Sequence, residues 1–367
     1  MSRKLRVLVL TPDFPPDVGG IQVMAHRLVT SWPTFETHVL TTGPSTAPAS
    51  EVFPGGTIRR ITIRRGRPAP LKISLLMARA LAEALRFRPD VVLCSHIVIS
   101  PAAWAISRLT GTPYVQQVYG MEVSARPRLA RFAVRHAMGV TAISAYTASL
   151  VSPPTSHPAV QLIPPGVDLP GPRREGQLGP PVVLTVARMA ERYKGHDVML
   201  RAMPLVRARV PDVRWIAIGD GPFRAGYEQM ARSLGVSDSV RFLGTVDDAE
   251  RDQWFDAAQV FAMPSRLSST GGGEGFGIVY MEAAARQLPV VAGNVGGALD
   301  AVLDGVTGLL VDPADHLAVA DAIADLLVDR DRSRALGLAG SIRARQFSWE
   351  KTADRFEELL RGVARAA

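Results

Sequence analysis

Glu274 and Glu282 frame the stretch Glu274-Gly-Phe-Gly-Ile-Val-Tyr-Met-Glu282. A Gly-rich loop runs directly into a helix there. The start of a helix carries backbone N–H groups that have no intrahelical partner, and these attract an anion. The second carboxylate follows within the helix, on the face that also carries Ile278. One short segment can thus cradle a phosphate with its backbone and accept from sugar hydroxyls with two carboxylates. That is equipment for gripping a nucleotide sugar. Gly271-Gly-Gly273 lies just upstream and lets the segment order around a ligand. Asn294-Val-Gly-Gly297, after the next strand, is a further turn of close approach that would line the same pocket.

A second set of reactive side chains lies in Val186-Ala-Arg188-Met-Ala-Glu-Arg-Tyr-Lys194-Gly-His196. Arg188 falls at a strand end and Lys194 in the loop before a helix. Both cations are suited to converge on a diphosphate leaving group, where offsetting developing charge is the largest single catalytic contribution. The bland reading is a solvated basic loop. The third set is Thr11-Pro-Asp13-Phe-Pro-Pro-Asp-Val-Gly19-Gly20-Ile-Gln22. Gly19 and Gly20 let the chain approach a phosphate with a helix start behind them, although the same pair also serves as an ordinary turn. The dinucleotide fingerprint G-x-G-x-x-G is absent. No metal site is expected. Asp329-Arg-Asp331 reads as a charged turn, no Cys/His cluster has zinc spacing, and no Gly-x-Ser-x-Gly elbow occurs.

These loops need strands to hold them. Strand and helix patterns alternate from end to end, with Leu5–Leu10 a continuous apolar run of the kind buried on both faces of a parallel sheet. Further strands are expected near 36–41, 57–63, 91–94, 114–117, 140–143 and 160–163, and a helix over 70–87. Residues 152–181 are rich in Pro and Gly and break the pattern, as a segment crossing between domains would. A second alternating series follows, with strands near 182–187, 214–218, 240–243, 260–262, 290–293 and 308–311. The fold class is therefore α/β, with two Rossmann-like, doubly wound parallel-sheet domains. The first spans 1–166, the second 167–349, and a final helix over 350–367 packs back onto the first. Ligands of such sheets bind beyond the carboxyl ends of the strands. Two such units facing one cleft would suit transfer between two ligands.

Bulk properties narrow the class. The chain has 367 residues, enough for two cores, and 47% of them are hydrophobic, as in a globular protein. No apolar run reaches membrane-span length, and the amino-terminal residues lack the cleavage site of a signal peptide. The lone cysteine, Cys94, excludes an internal disulfide and fits a small buried residue in a reducing compartment. A cytoplasmic location is expected. Residues 1–166 carry 18 Lys and Arg against 7 Asp and Glu, whereas the remainder carries 24 against 27. The first half should attract anions. Two basic groups stand out: Arg59, Arg60, Arg64, Arg65 and Arg67; and Arg126, Arg128, Arg131 and Arg135. They read either as solvated surface or as a face for peripheral contact with an acidic membrane. Nucleic acid is not an expected partner, because stacking motifs and recognisable nucleic-acid modules are lacking.

The motifs, taken in order, resemble glycosyltransferase family 4, retaining enzymes of the two-Rossmann GT-B architecture. The resemblance rests on Phe14-Pro-Pro…Gly19-Gly-Ile-Gln22, Ile163-Pro-Pro-Gly-Val-Asp168, Arg188…Lys194-Gly-His-Asp197, Gly219-Asp-Gly-Pro222, Phe242-Leu-Gly244, Glu274-Gly-Phe-Gly…Glu282, Ala292-Gly-Asn-Val-Gly-Gly297 and Gly305-Val-Thr-Gly-Leu-Leu310. It covers essentially the whole chain, and the first loop is similar to that of phosphatidylinositol mannosyltransferases. The resemblance implies that Glu274 contacts the donor sugar beside Gly275 and the amides of Phe276 and Gly277, next to Ile278. It also implies that Glu282 holds the ribose, that Arg188 and Lys194 hold the diphosphate, and that Gly219 lines the donor. Gly19 and Gly20 would line the donor phosphate and the acceptor side. The acceptor side would include Asp13, Gln22 and His96. Where the family commonly has histidines, this chain has Tyr119 and Met121, which makes Tyr119 and Glu122 the polar residues of that loop.

The expected function is retaining, metal-independent transfer of mannose or another hexose from a nucleoside-diphosphate sugar to a hydroxyl acceptor. GDP-mannose is the favoured donor and a UDP-sugar the next. No cofactor is expected. The acceptor is lipid-linked, or else a glycan or secondary metabolite. Two alternatives remain in view: a nucleotide-sugar epimerase or sugar-phosphate synthase of the same fold, and a non-catalytic anion-binding protein.

Overall fold

The structure is a computed structural model that describes residues 3–17, 19–63, 69–151, 159–170, 179–269 and 271–367. Arg64, Arg65 and Arg67, and half of the Pro-rich crossing segment, lie outside them. The chain forms two compact units, Met1–Gly166 with Trp349–Ala367, and Val167–Ser348.

The strands of the first unit are β1 (Leu5–Leu10), β2 (Phe35–Pro44), β3 (Ser50–Phe53), β4 (Gly56–Ile63), β5 (Val91–Cys94), β6 (Tyr114–Val118), β7 (Gly139–Ala142) and β8 (Gln161–Leu162). They form a sheet in the order β3-β4-β2-β1-β5-β6-β7-β8. Every pairing is parallel except β3 with β4. That antiparallel edge was not expected. Ser50–Val52 are exposed, so β3 has no apolar period to announce it, and it exists only through pairing with β4. The central strands β5, β6 and β7 are buried throughout, as strands of a parallel sheet covered on both faces are. The helix Ala69–Phe87 buries Leu76, Ala80 and Ala84 at four-residue spacing. Cys94 is a free, fully buried thiol, and burial pushes its pKa up to about 12.

The final helix, Trp349–Ala366, completes this unit. The Trp32 indole donates to the Ala353 carbonyl at 3.2 Å, and its ring meets Phe356 edge-on at 6.2 Å. Thr352 Oγ1 donates to the Pro164 carbonyl at 3.1 Å.

The second unit contains β9 (Val182–Val186), β10 (Arg214–Ile218), β11 (Val240–Gly244), β12 (Val260–Met263), β13 (Val290–Gly293) and β14 (Gly308–Val311). Their order is β11-β10-β9-β12-β13-β14, all parallel. Its core joins Trp215, Met199, Met203 and Val206 to Ile323 and Leu326. The expected charged turn at Asp329-Arg-Asp331 is instead the start of a helix, Arg330–Ala344. Asp329 is its N-cap and accepts from the Arg332 amide at 3.0 Å. Gly337 and Gly340 hide this helix in the sequence, since glycine disfavours helix interiors. In the fold they let it press close to the helix Ile278–Ala285. A Cβ at Gly337 would lie 2.1 Å from the Gln287 carbonyl oxygen, and one at Gly340 would lie 3.3 Å from the Ala284 Cβ.

Candidate functional site

Both sheets reverse direction next to their first strand. In the second unit the chain runs from β9 outwards to β10 and β11, then returns to β12 on the other side of β9. The loops after β9 and β12 therefore diverge and leave a crevice beyond their carboxyl ends, where doubly wound sheets bind ligands. Lys194 comes from the first of these loops and Glu274 from the second. Lys194 Nζ donates to Glu274 Oε2 at 2.5 Å, and each side chain is 14% exposed. Burial works against the Lys194 charge, but the Glu274 carboxylate and the Tyr193 ring beside it outweigh burial, and the pKa ends well above the ordinary lysine value. The amine is a permanent cation across the physiological range. Between the two loops, the Arg266 amide donates to the Tyr193 carbonyl at 2.8 Å.

The helix Ile278–Ala285 begins at Gly277 without a side-chain cap, so its first amides are open to an anion. Gly277 has φ +85°, and a Cβ there would lie 2.3 Å from the Tyr280 ring. The ring cannot yield. Tyr280 is wholly buried, and its hydroxyl is held by Ser265 Oγ and by the Met263 carbonyl, both at 2.8 Å. The Gly297 amide donates to the Glu274 carbonyl at 2.8 Å, so the loop after β13 braces the same segment. Phe276 is buried against Phe347, with ring centroids 5.6 Å apart. Its side chain anchors the loop, and its backbone is the part available to a ligand. Ile278, in the first turn, is half-buried.

Glu282 lies one turn further along and is half-buried. No hydrogen bond or ion pair joins its carboxylate to the described residues; Arg286 and Arg251 pair with Asp252 instead. Burial raises its pKa, which Arg251 and Arg286 only partly offset. A carboxylate held this way is ready for hydroxyl donors from a ligand. Gly219 follows β10, with its amide on the Gly244 carbonyl at 2.8 Å. Arg188 behaves differently from Lys194. Its guanidinium pairs with Glu191 at 3.0 Å, and the side chain is 58% exposed. The structure thus joins Lys194 to Glu274, whereas Arg188 stands at the rim of the same loop.

The first unit repeats the arrangement between β1 and β5. Gln22 Nε2 donates to Asp13 Oδ1 at 3.1 Å, and His96 Nε2 lies 3.9 Å from Asp13 Oδ2. The Val98 amide donates to His96 Nδ1 at 3.1 Å, which leaves the ring proton on Nε2, facing Asp13. Burial, reinforced by Arg126, lowers the His96 pKa to about 4, so the ring is neutral near pH 7. Asp13, Gln22 and His96 are brought together at one strand-end position. Gly19 caps the helix Gly20–Thr30 with no side-chain hydrogen bond, so the first amides there are open as well.

Tyr119 and Glu122 are placed otherwise than the sequence suggests. Both are buried, at 5% and 6% exposure. The Tyr119 hydroxyl donates to Gln117 Oε1 at 2.9 Å, and the Glu122 carboxylate accepts from the Tyr119 amide at 2.7 Å. The turn at Gly120 folds the glutamate back onto its own loop. These groups shape the loop and present no free head to an acceptor.

The basic groups also separate. Arg59 pairs with the buried Glu83 at 3.0 Å, and Arg60 pairs with Glu51 at 2.8 Å. They are structural charges. Arg126, Arg128, Arg131 and Arg135 are exposed, the last three on the helix Pro127–His136, whose Ala130, Ala133 and Val134 face inward. Beside them lies an aromatic group in which the Trp104 and Phe132 rings are 5.9 Å apart and the Phe132 and His136 rings 4.6 Å apart. Among the described residues no helix is long and apolar enough to cross a membrane, and no group of three or more His, Cys, Asp or Glu is arranged to hold a metal ion.

Comparison with known proteins places this geometry. The family model described as "Glycosyl transferases group 1" matches residues 180–329, and the one described as "Glycosyltransferase Family 4" matches residues 18–170. A GDP-mannose-dependent alpha-(1-6)-phosphatidylinositol monomannoside mannosyltransferase of Mycobacterium tuberculosis is 34% identical, over 97% of this chain and 98% of that protein. A GDP-mannose-dependent monoacylated alpha-(1-6)-phosphatidylinositol monomannoside mannosyltransferase of Corynebacterium glutamicum is 30% identical over the full length of both. Among solved structures, sucrose-phosphate synthase from Thermosynechococcus elongatus superposes with a TM-score of 0.86 at 23% identity, covering both chains completely. Two parallel-sheet domains of this kind, with these matches, define a glycosyltransferase of the GT-B fold that acts on a nucleotide sugar. More narrowly, the chain belongs to glycosyltransferase family 4.

Proposed function

We propose that the protein transfers mannose from GDP-mannose, with retention of configuration, to a hydroxyl of a phosphatidylinositol-type mannolipid at a membrane surface. The observation that carries this reading is the Lys194–Glu274 pair beside the uncapped start of the helix Ile278–Ala285. It supplies a fixed cation, open amides and a carboxylate within one crevice. The names of the full-length relatives supply the donor and the acceptor class.

On this reading the diphosphate lies between Lys194 and the helix start, with Arg188 at the rim. Glu274 accepts from a hydroxyl of the sugar, and Glu282 from the ribose. The bond from C1 of the sugar to the diphosphate oxygen breaks, and a bond from C1 to the acceptor oxygen forms on the same face. The acceptor proton passes to the departing phosphate. Lys194 and the helix amides offset the charge left on that phosphate, a contribution typically of ~10²–10³ in rate per donor group. The protein's own cations fill this role in a metal-independent reaction, so activity should persist in excess EDTA. Asp13, Gln22 and His96 are assigned to the acceptor, and the exposed Arg128, Arg131 and Arg135 to anionic lipid headgroups. Each basic residue near such a surface contributes about 1 kcal/mol.

The test is transfer from GDP-mannose or UDP-glucose to phosphatidylinositol monomannoside in mixed vesicles. GDP-mannose should be the working donor, and Lys194→Ala should lower kcat about 10²–10³-fold with an unchanged circular dichroism spectrum. Wild-type turnover by that variant removes Lys194 from the reaction. Faster transfer from UDP-glucose reassigns the donor. Reversal of the three arginines to glutamate should release the protein from anionic vesicles while sparing hydrolysis of the donor.

A further inference from the structure

The 3-10 turn Arg192–Lys194 carries two cations with different partners. Lys194 turns to Glu274. Arg192 lies over the Phe223 ring, with its guanidinium carbon 4.6 Å from the centroid, and no carboxylate of the described residues pairs with it. On that side a cavity of about 300 Å³ is lined by Arg192, Asp197, Arg201, Phe223, Tyr227 and Met230, among others. Neither Lys194 nor Glu274 is among its lining residues.

Its charges do not balance. Asp197 is shared by Arg201 at 3.3 Å and Arg266 at 3.0 Å. The lining itself holds the two guanidinium groups of Arg192 and Arg201 against that one carboxylate. Tyr227, only 4% exposed, also lines the cavity, and among the described residues its hydroxyl has no hydrogen-bond partner. That hydroxyl lies near Asp197 and Arg192, which line the same cavity. A buried phenol without a partner is costly. Its ring stacks on buried His196 at 5.3 Å, which fixes its position. Phe223 and Met230 supply an apolar wall.

We infer that this cavity is a second anion site, built for a small phosphate monoester with an apolar or ring-shaped body. Arg192 and Arg201 take the phosphate oxygens, the Tyr227 hydroxyl donates to one of them, and the body rests on Phe223 and Met230. Two guanidinium groups and a phenol are a standard set for a phosphoryl group. The site lies two residues from Lys194 on one rigid turn. The binding itself does not depend on the proposed donor or acceptor.

Phenyl phosphate is the probe, with affinity measured by titration calorimetry on the full chain. Lys194→Ala removes the cation of the donor crevice and should leave the affinity within twofold. Arg192→Gln with Arg201→Gln should weaken it at least tenfold, and Tyr227→Phe severalfold, since the phenylalanine keeps the ring stack and loses only the donor. GDP binding, measured in parallel, should be retained in the double arginine variant and in Tyr227→Phe, and weakened in Lys194→Ala. Absence of saturable binding to the wild type, wild-type affinity in the double arginine variant, or loss confined to Lys194→Ala would each overturn the assignment. Failure of GDP to bind any of the proteins refutes the donor reading alone.

Discussion

The start of the donor-loop helix can be tested by adding one methyl group. Gly277→Ala places a Cβ at φ +85°, 2.3 Å and 2.4 Å from Cδ2 and Cε2 of Tyr280. The left-handed conformation costs an L-residue about 1–2 kcal/mol. The overlap adds to this, because the Tyr280 ring is buried and its hydroxyl is tied to Ser265 and to the Met263 carbonyl. Overpacking of that kind costs about 1–3 kcal/mol, so about 2–5 kcal/mol is expected in all. Gly305 supplies the control, with φ +67° and nothing within 4 Å of the place a Cβ would take, so Gly305→Ala carries the conformational cost alone. Urea unfolding followed by tryptophan fluorescence gives both stabilities, and GDP titration gives the functional effect. Backbone relaxation would displace the helix amides, and a misplacement near 1 Å can cost about 10²-fold in catalysis. If Gly277→Ala is no more destabilising than Gly305→Ala, the Tyr280 ring is not a rigid wall. If GDP then binds as to the wild type, the helix start is not the phosphate cradle.

Two further outcomes follow from burial. Glu282→Gln removes a half-buried, unpartnered carboxylate, so it should raise stability at pH 7 by about 0.5–1 kcal/mol while raising the donor KM about tenfold. The sign is that of an acid whose folded pKa is raised: its ionisation opposes folding above that pKa, and the penalty fades as pH falls. His96, lowered to about 4 by burial and Arg126, behaves in the opposite sense. The unfolded ring takes up a proton near pH 6.5 and the folded ring does not, so stability should fall as pH drops from about 6.5 towards 4, by at most about 3 kcal/mol for this residue. In His96→Gln that part of the slope should vanish, as read from urea midpoints at pH 7 and pH 4.5. An identical slope in the variant assigns the acid sensitivity to the other buried histidines.

The alternation of strands and helices was legible because strands such as β5 and β13 are continuous apolar runs, and their period survives without context. What lacked a local signal was missed. The edge strand β3 is exposed, and the helix Arg330–Ala344 carries two glycines that only its packing against Gln287 and Ala284 explains. The site divides in the same way. Residue types and the Gly-rich loop marked Lys194 and Glu274 separately, but their contact spans 80 positions and follows from β9 lying beside β12, which no local pattern records. Arg188 finds Glu191 three residues away, and Glu122 folds back on Tyr119. In both cases a neighbouring partner took the side chain that the sequence left free. Tyr227 gave no sign at all, since an unpaired phenol is a property of its surroundings.

The helix Trp349–Ala366 has a consequence for how the molecule is made. The second unit is continuous in sequence and can fold as soon as it has been synthesised. The first cannot, because the docking place beside Trp32 and Phe35 waits for Phe356, more than 300 residues downstream. The amino-terminal sheet is the earlier part of the chain and the later to mature. Until Phe356 has been synthesised it holds an uncovered aromatic slot, so a chaperone that binds exposed rings should meet the nascent protein there and be displaced by the helix Trp349–Ala366.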